Sequence, residues 1–184
     1  PRMTERRFVL EPLHEIAPEL VLAKGGPTVS ELLKNLSALR IRPVGNSPEE
    51  CEEAATALNR LMPSLTENYT ALKAADVARM LSTGLTRIYL GRDESGKVQA
   101  GATLVLCCSP TGCKAWIEDV AVMPDCRRRG YGRAIIRFLI AESQRLGAKS
   151  LNLTSQPKRE AANALYRSEG FVLRETNVYR WQEK

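Results

Sequence analysis

Hydrophobic and polar positions follow two different periods along this chain, and each change of period marks a predicted element. In residues 1–38, prolines and a Gly-Gly-Pro run interrupt every apolar stretch before a long helix can form. Only residues 28–36 show a helical period there, which predicts one short helix. The pattern becomes regular from residue 39, so the sequence predicts a partly ordered N-terminal extension (1–38) followed by a single domain (39–184).

The first part of the domain is predicted to contain one strand and two helices. Residues 38–44 alternate apolar and polar side chains, which is the period of a half-buried strand. Ser47 then provides an N-cap and Pro48 a favourable first helical residue, so a helix begins here. A second helix is predicted over 71–82 and ends at Gly84, which suits a left-handed C-terminal cap. The predicted buried stripe of the first helix is Ala54, Ala55, Leu58, Leu61 and Met62.

The rest of the domain is predicted to complete one sheet. Strands at 86–92, 98–108 and 115–122, separated by turns, form an antiparallel meander. They are followed by a helix at 131–146, a strand at 150–154, a helix at 160–168 and a closing strand at 175–181. Because the long helix joins two strands as a βαβ crossover does, the strands on either side of it should run parallel. The predicted fold class is α/β in the mixed, α+β sense: a central, mostly antiparallel mixed sheet with one parallel pair, flanked by helices.

The amino-acid composition indicates which classes of partner to expect. Hydrophobic residues make up 43% of the 184 residues and charged residues 26%, as in ordinary globular proteins. No apolar run approaches the roughly 20 residues that span a bilayer, so we expect a cytoplasmic protein without a membrane partner. The net charge of +6 favours an anionic ligand. Nucleic acid is not expected, because the aromatic residues are few and are not interleaved with the basic ones.

The cysteines suggest neither a disulfide framework nor a metal site. Five are present, an odd number without a repeated C-x-x-C, and the chain has a single histidine. Structural zinc needs four ligands at characteristic spacings, and a secreted framework pairs an even number of cysteines. We therefore expect reduced thiols, with the cluster at 107, 108 and 113 buried in strands.

The segment 120–133, VAVMPDCRRRGYGR, points to an anion-binding loop. A predicted strand passes through arginines and glycines into a helix, whose first amides have no acceptor within the helix. Gly130 and Gly132 allow a ligand to approach the backbone closely, and a helix N-terminus attracts negative charge. The alternative is a solvated loop in which the glycines serve only as turn residues. The cationic side chains of the loop are Arg127, Arg128, Arg129 and Arg133.

Two motifs resemble those of the GNAT superfamily of N-acetyltransferases. The spacing of Arg127, Gly130 and Gly132 resembles the family's [Q/R]-x-x-G-x-[G/A] pyrophosphate loop. The segment 163–171, NALYRSEGF, resembles its second signature, a helix with Asn and Tyr followed by Gly-Phe. The resemblance extends from about Ile41 to the C-terminus and leaves out the first 38 residues.

The resemblance implies a fold, a cofactor and a reaction. A GNAT fold would bind acetyl-CoA as acetyl donor, and the acetyl group would pass by direct attack in a ternary complex to a primary amine of a small molecule or peptide. Dimers are common in the family, which leaves a homodimer open. The alternative is a non-catalytic acetyl-CoA sensor or scaffold. The residues that the resemblance assigns to cofactor binding are Val120, Ala121, Val122, Arg127, Arg128, Arg129, Gly130, Tyr131, Gly132, Arg133, Thr154, Asn163 and Tyr166.

Catalytic roles are also implied by the resemblance. Tyr166 stands where the family has a tyrosine hydroxyl that serves the departing thiolate, although a tyrosine packed on the Gly-Phe turn would look the same. Glu118 and Asp119 are candidates for removing the amine proton, and strand alternation should point them to opposite faces. Trp116 occupies the place of the catalytic glutamate of histone acetyltransferases, whereas IEDV at 117–120 is similar to the strand of glucosamine-6-phosphate N-acetyltransferase. A solvated Glu118, with ordered water as the base, is the alternative.

Overall fold

The computed structural model describes residues 7–35 and 39–182, which divide into two units between Thr154 and Ser155. The helices are α1 (Arg7–Ile16), α2 (Val29–Asn35), α3 (Pro48–Leu61), α4 (Ala74–Ser82), α5 (Tyr131–Arg145) and α6 (Glu160–Ser168). The strands are β1 (Arg40–Pro43), β2 (Thr86–Arg92), β3 (Val98–Ser109), β4 (Gly112–Val122) and β5 (Leu151–Leu153). Only α6 belongs to the second unit.

The five strands form one sheet in the order β1-β2-β3-β4-β5. The first four strands pair antiparallel, and β5 joins β4 in parallel. A parallel neighbour requires a crossover, and α5 provides it between β4 and β5. The predicted fold class, including its parallel pair, is confirmed.

The sheet of the first unit is covered on both faces. Ile88 and Leu90 of β2 lie in an apolar cluster with α3 and α4. Tyr89, between them, points the other way because side chains alternate along a strand. Its ring meets Phe138 of α5 edge-on at 5.2 Å, and its hydroxyl donates to Glu142 Oε1 at 2.7 Å. Helices on both faces therefore hold the central strands rigidly in place.

Helix ends follow the predicted chemistry. The Ser47 hydroxyl accepts a hydrogen bond from Glu50 N, and the Glu50 carboxylate accepts one from Ser47 N, which is a capping box at the start of α3. Gly84, just after α4, has φ +67° as predicted. The predicted stripe of α3 is buried. Within the described residues, no helix is both long and apolar enough to cross a bilayer.

The prediction of a single helix in the extension is wrong. Besides α2, the chain forms α1, with Pro12 inside it. Proline removes a backbone donor from a helix, but Leu10 of α1 is fully buried, and tertiary burial of this kind offsets part of that cost. The predicted helix at 28–36 corresponds to α2, and position 36 lies outside the described residues. The domain boundary at 38/39 stays a prediction.

The predicted closing strand at 175–181 is also wrong. The described part of the second unit contains α6 and, after it, no strand. Alternation in sequence indicates a local preference only, whereas a strand also needs a neighbouring strand for its backbone hydrogen bonds. The apolar side chains of this stretch, including Val178, Tyr179 and Trp181, are at least 80% exposed.

The expectation of reduced, buried strand thiols is wrong for the cysteine cluster. Cys108 and Cys113 form a disulfide, while Cys107 is a free, exposed thiol. The pair faces across the β3–β4 hairpin, with Cα atoms 3.9 Å apart. Counting cysteines could not reveal this pair, because it depends on the cross-strand register. Cys51 and Cys126 are buried free thiols.

Candidate functional site

The central feature of the site is a bulge in β4. Gly101 pairs with Ala121 and Thr103 with Glu118, so Asp119 and Val120 together face the single residue Ala102. Asp119 has φ +53°, a left-handed conformation that costs a non-glycine residue roughly 1–2 kcal/mol. Such bulges bend a strand and end its regular pairing. Strain of this kind, held in place by a rigid sheet, often marks a functional site.

Beyond the bulge, β4 has lost β5 as a neighbour. The parallel pairing joins residues 115–117 of β4 to Leu151–Leu153 and goes no further. Met123 N donates to Gln99 O of β3 at 2.9 Å. Backbone groups alternate between the two edges of a strand, so those of Val122 and Val120 point to the edge that β5 has left. This edge can accept an extended ligand in place of a strand.

Ala121 differs from the valines on either side of it. Its side chain is buried in the core with α3 and α4, and its backbone pairs with Gly101 of β3. The predicted cofactor segment 120–122 therefore presents its two valines, and not Ala121, to the open edge.

The predicted loop leads from β4 directly to the N-terminus of α5. A 3-10 turn (Pro124–Cys126) is anchored by the buried Cys126, and Arg127 is extended. Arg128 (φ +67°) and Gly130 (φ +83°) are both left-handed, which turns the chain sharply into the helix. Gly130 is the N-cap and has no side chain to cap the first turn. The arrangement directs backbone amides toward one point ahead of the helix, as anion-binding loops do.

The loop arginines surround this point with positive charge. Arg127, Arg128 and Arg129 are exposed, and Arg133 is half-buried in the first turn of α5. Cations are unfavourable at a helix N-terminus, so their concentration here favours a bound anion. Tyr131 lies among them, but it is buried and faces the core.

The two predicted carboxylates lie at the bulge. Partial burial raises the pKa of Glu118, and the neighbouring charge of Asp119 raises it further, although the residue as a whole is exposed. Strand alternation was expected to point Glu118 and Asp119 to opposite faces. That argument does not apply here, because the left-handed Asp119 interrupts the alternation. Glu118 thus combines solvent access with a pKa shifted toward neutrality.

Sequence reasoning did not find Asn59, which fixes the loop between α3 and α4. Its Oδ1 accepts hydrogen bonds from the Tyr69 hydroxyl at 2.6 Å and from Leu72 N at 2.8 Å, and its Nδ2 donates to Leu72 O at 2.9 Å. Burial raises the pKa of Tyr69, with a further contribution from the charge of Asp119. The sequence feature that could have indicated Asn59 is its position in the amphipathic helix α3, as a polar residue next to the buried Leu58.

In the second unit, α6 carries the other predicted site residues. Asn163 Nδ2 donates to Gln156 O at 2.9 Å and so fixes the turn before the helix. The Tyr166 ring meets Phe171 edge-on at 6.0 Å, which is the packing expected if the residue is structural. Burial raises the pKa of Tyr166, partly offset by the charge of Arg159. Thr154, the last residue of the first unit, follows β5 and is exposed.

Comparison with known proteins identifies similar chains. A model of the acetyltransferase (GNAT) family matches residues 56–171. The [ribosomal protein bS18]-alanine N-acetyltransferase of Escherichia coli (strain K12) is 41% identical over 58 residues, which are 32% of this chain and 39% of that protein. The chain thus spans well under half the length of this curated relative.

Solved structures extend the similarity over most of the chain. A protein from Agrobacterium tumefaciens str. C58, assigned to the acetyltransferases, has a TM-score of 0.68 at 27% identity, covering 78% of this chain and 99% of that one. An aminoglycoside acetyltransferase from an uncultured soil metagenomic sample also has a TM-score of 0.68, at 18% identity over 79% of this chain and 96% of that one. The latter likeness shows the shared fold.

Proposed function

Because the chain belongs to the acetyltransferase (GNAT) family, we propose that it transfers an acetyl group from acetyl-CoA to a primary amine by direct attack in a ternary complex. The observation that carries the proposal is the course of β4. It loses β5 as a neighbour, bulges at Asp119 and leads through the arginine loop to the N-terminus of α5. An open strand edge followed by an anion-binding loop suits an extended molecule with a diphosphate at one end.

The residues present fit acetyl-CoA, which supplies an acetyl group activated as a thioester. Backbone groups of Val120 and Val122 bind its extended arm as a strand would. The amides of residues 128–133 bind the diphosphate, since they precede or begin α5. The loop arginines add charge-assisted hydrogen bonds to the phosphate oxygens. Thr154 and Asn163 are proposed cofactor contacts on the family resemblance alone.

Three proton transfers accompany the reaction. The amine nitrogen forms a bond to the acetyl carbon as the carbon–sulfur bond breaks, and the ammonium must first lose a proton. Glu118 accepts that proton, directly or through water, because its raised pKa brings it closer to that of an efficient base near neutrality. Tyr166 donates its phenolic proton to the thiolate, and its raised pKa keeps that proton in place until then. The attacking nitrogen carries one proton too many after the attack and returns it to the Tyr166 oxygen, so the products are the amide and the free thiol.

The acceptor is proposed to be an amine on a peptide or a small molecule. The curated relative acts on an alanine of a ribosomal protein, and one structural neighbour is an aminoglycoside acetyltransferase. In the first unit, the loop fixed by Asn59 brings Tyr69 into the electrostatic field of Asp119. This loop, which includes Glu67 and Asn68, is our candidate for the acceptor side.

The test is thiol release from acetyl-CoA with a panel of amines: amino sugars, polyamines, peptide N-termini and lysines. We expect release above background with at least one of them. Tight coenzyme A binding without turnover on any amine would instead support a sensor or scaffold.

Tyr166→Phe tests the proposed proton donor. We expect kcat to fall by about 100-fold, the lower end for general acid catalysis, with little change in the Kd for acetyl-CoA. Tyr179→Phe, in the same unit and 87% exposed, is the matched control and should leave kcat unchanged. If kcat is the same in both variants, Tyr166 has only the packing role.

A further inference from the structure

A second bulge interrupts the sheet, at the start of β3. Gly91 of β2 pairs with Ala100 and Arg92 pairs with Val98, so Gln99 is an extra residue between them. A bulge redirects the side chain of its extra residue, and bulges are frequent beside active sites. Gln99 is only 5% exposed, which is uncommon for a glutamine. A buried amide at a bulge has to be explained by the hydrogen bonds that it makes.

The Gln99 side chain is held by Asp93, in the turn between β2 and β3. Gln99 Nε2 donates to Asp93 Oδ2 at 2.6 Å. Asp93 Oδ1 accepts from Ser95 N at 3.0 Å, Ser95 Oγ at 2.6 Å and Lys97 N at 3.1 Å. Hydrogen bonds from Ser95 and Gln99 lower the pKa of Asp93 to about 2, so the carboxylate is ionised near neutrality. An ionised carboxylate can only accept, which fixes the orientation of the Gln99 amide.

This orientation leaves the oxygen of the amide unpaired. Within the described residues, Oε1 of Gln99 is buried and has no hydrogen-bond partner. A buried acceptor without a donor is unfavourable in the folded state. An apolar side chain would avoid this cost, which favours a role for the glutamine beyond burial.

Gln99 and Asp93 are both connected to the start of the arginine loop. Met123, the first residue after β4, donates its N–H to Gln99 O at 2.9 Å, and Cys126 N donates to Met123 O at 2.9 Å. Burial raises the pKa of the Cys126 thiol, and the charge of Asp93 is among the causes that raise it further. Asp93 therefore lies close to the 3-10 turn that Cys126 anchors. The turn 93–97, Gln99 and residues 123–126 form one connected network.

We propose that Gln99 is a positioning residue for the arginine loop. The bulge and the bond to Asp93 place the Gln99 carbonyl where it holds Met123, and the 3-10 turn then directs residues 128–133 toward the diphosphate. Gln99 acts through Met123 rather than by contact with the cofactor. The inference rests on the proposed function, since it concerns the loop that is proposed to bind the diphosphate.

Gln99→Leu tests the proposal, because it removes the amide and keeps a side chain of similar size. The Tm should change little, since the unpaired acceptor is removed together with the bond to Asp93. The Kd for acetyl-CoA should nevertheless rise by about tenfold, because the loop is no longer held in place. Gln144→Leu, at an exposed position of α5, is the matched control and should change neither quantity. Thermal unfolding and calorimetric titration measure the two.

An exchange of the two partners is the second test. In Gln99→Glu two carboxylates face each other, so the Kd for acetyl-CoA should rise by about tenfold or more. Adding Asp93→Asn restores one donor and one acceptor in reversed roles, at the net charge of the wild type. The double variant should therefore return to within about threefold of the wild-type Kd.

A folded Gln99→Leu variant with the wild-type Kd overturns the inference, because the glutamine then has only a structural role. A double variant that binds no better than Gln99→Glu overturns it as well. If Gln99→Leu does not fold, Asp93→Ala breaks the same bond from the turn, and an unchanged Kd in that variant is again contrary to the inference. If the wild-type protein itself does not bind acetyl-CoA, the proposed function fails instead.

Discussion

The two halves of β4 differ in what lies beside them. The closed half, residues 112–117, pairs with β3 along its length, with β5 over 115–117, and is joined to β3 by the Cys108–Cys113 disulfide. The open half, residues 118–122, keeps β3 but has lost β5 and contains the strained Asp119. An unpaired strand edge leaves backbone groups that need another partner. The comparison indicates that the binding site lies where β4 is still paired with β3 but is no longer paired with β5.

The largest effect is expected just after the open half, at Gly132. Gly132→Asp places a negative side chain beside the proposed diphosphate site, so the Kd for acetyl-CoA should rise by about 100-fold or more. Gly132→Ala is the control, because it adds bulk without charge, and its Kd should change by less than about threefold. The measurement is calorimetric titration, with thermal unfolding to confirm that both variants fold. Equal affinities in the two variants would place the diphosphate elsewhere.

Glu118, at the start of the open half, should determine the acidic side of the pH profile. Because its pKa is raised, its carboxylate forms at higher pH than an ordinary glutamate, and kcat/KM should rise with pH as it deprotonates. Glu118→Gln should remove this rise and lower kcat/KM near neutrality by about 100-fold. Asp119→Asn removes one cause of the raised pKa, so the rise should move to lower pH.

Glu94→Gln, at an exposed turn, is the control for this experiment and should leave the profile unchanged. A Glu118→Gln profile that matches wild type would assign proton removal to ordered water.

Substitution by valine should destabilise the open half of β4 more than the closed half. Asp119→Val puts a β-branched residue at φ +53°, which should lower the free energy of unfolding by about 1–2 kcal/mol. Lys114→Val, at an exposed position of the closed half, should change it by no more than about 0.5 kcal/mol. Denaturant unfolding of both variants measures the difference. Equal stabilities would mean that the bulge is not strained.

The sequence predicted the parts of the site that depend on local chemistry. The loop glycines, the arginines and the Asn-Tyr helix are encoded in short segments, and the family they suggested is confirmed. The bulge at Asp119 was not predicted, because regular strand alternation was assumed through the adjacent Glu118 and Asp119, and a left-handed backbone at Asp119 is set by the pairing with β3. The Cys108–Cys113 pair and Asn59 were missed for a related reason: both depend on which residues tertiary structure brings opposite each other.

Two errors in the predicted secondary structure have the same cause. Helix α1 forms despite Pro12 because Leu10 is buried, and burial is not visible in a local pattern. The closing strand was predicted from alternation alone, but the described second unit provides no strand beside it. Local propensity was sufficient where an element's partners are its sequence neighbours, as in the β2–β3–β4 meander.

The smallest effect on the site is expected from the disulfide of the closed half. Cys108→Ser opens a very short loop, so the free energy of unfolding should fall by about 2 kcal/mol or less, and reducing agent should remove the difference from wild type. Cys107→Ser, which changes a free exposed thiol and keeps the disulfide, is the control: its stability should match that of the wild type and fall with it on reduction. The Kd for acetyl-CoA should be unchanged in both variants, because residues 115–117 remain paired with β3 and β5 without the disulfide. A weaker Kd in Cys108→Ser alone would mean that the hairpin end helps to hold the open edge, and that the two halves of β4 act as one unit.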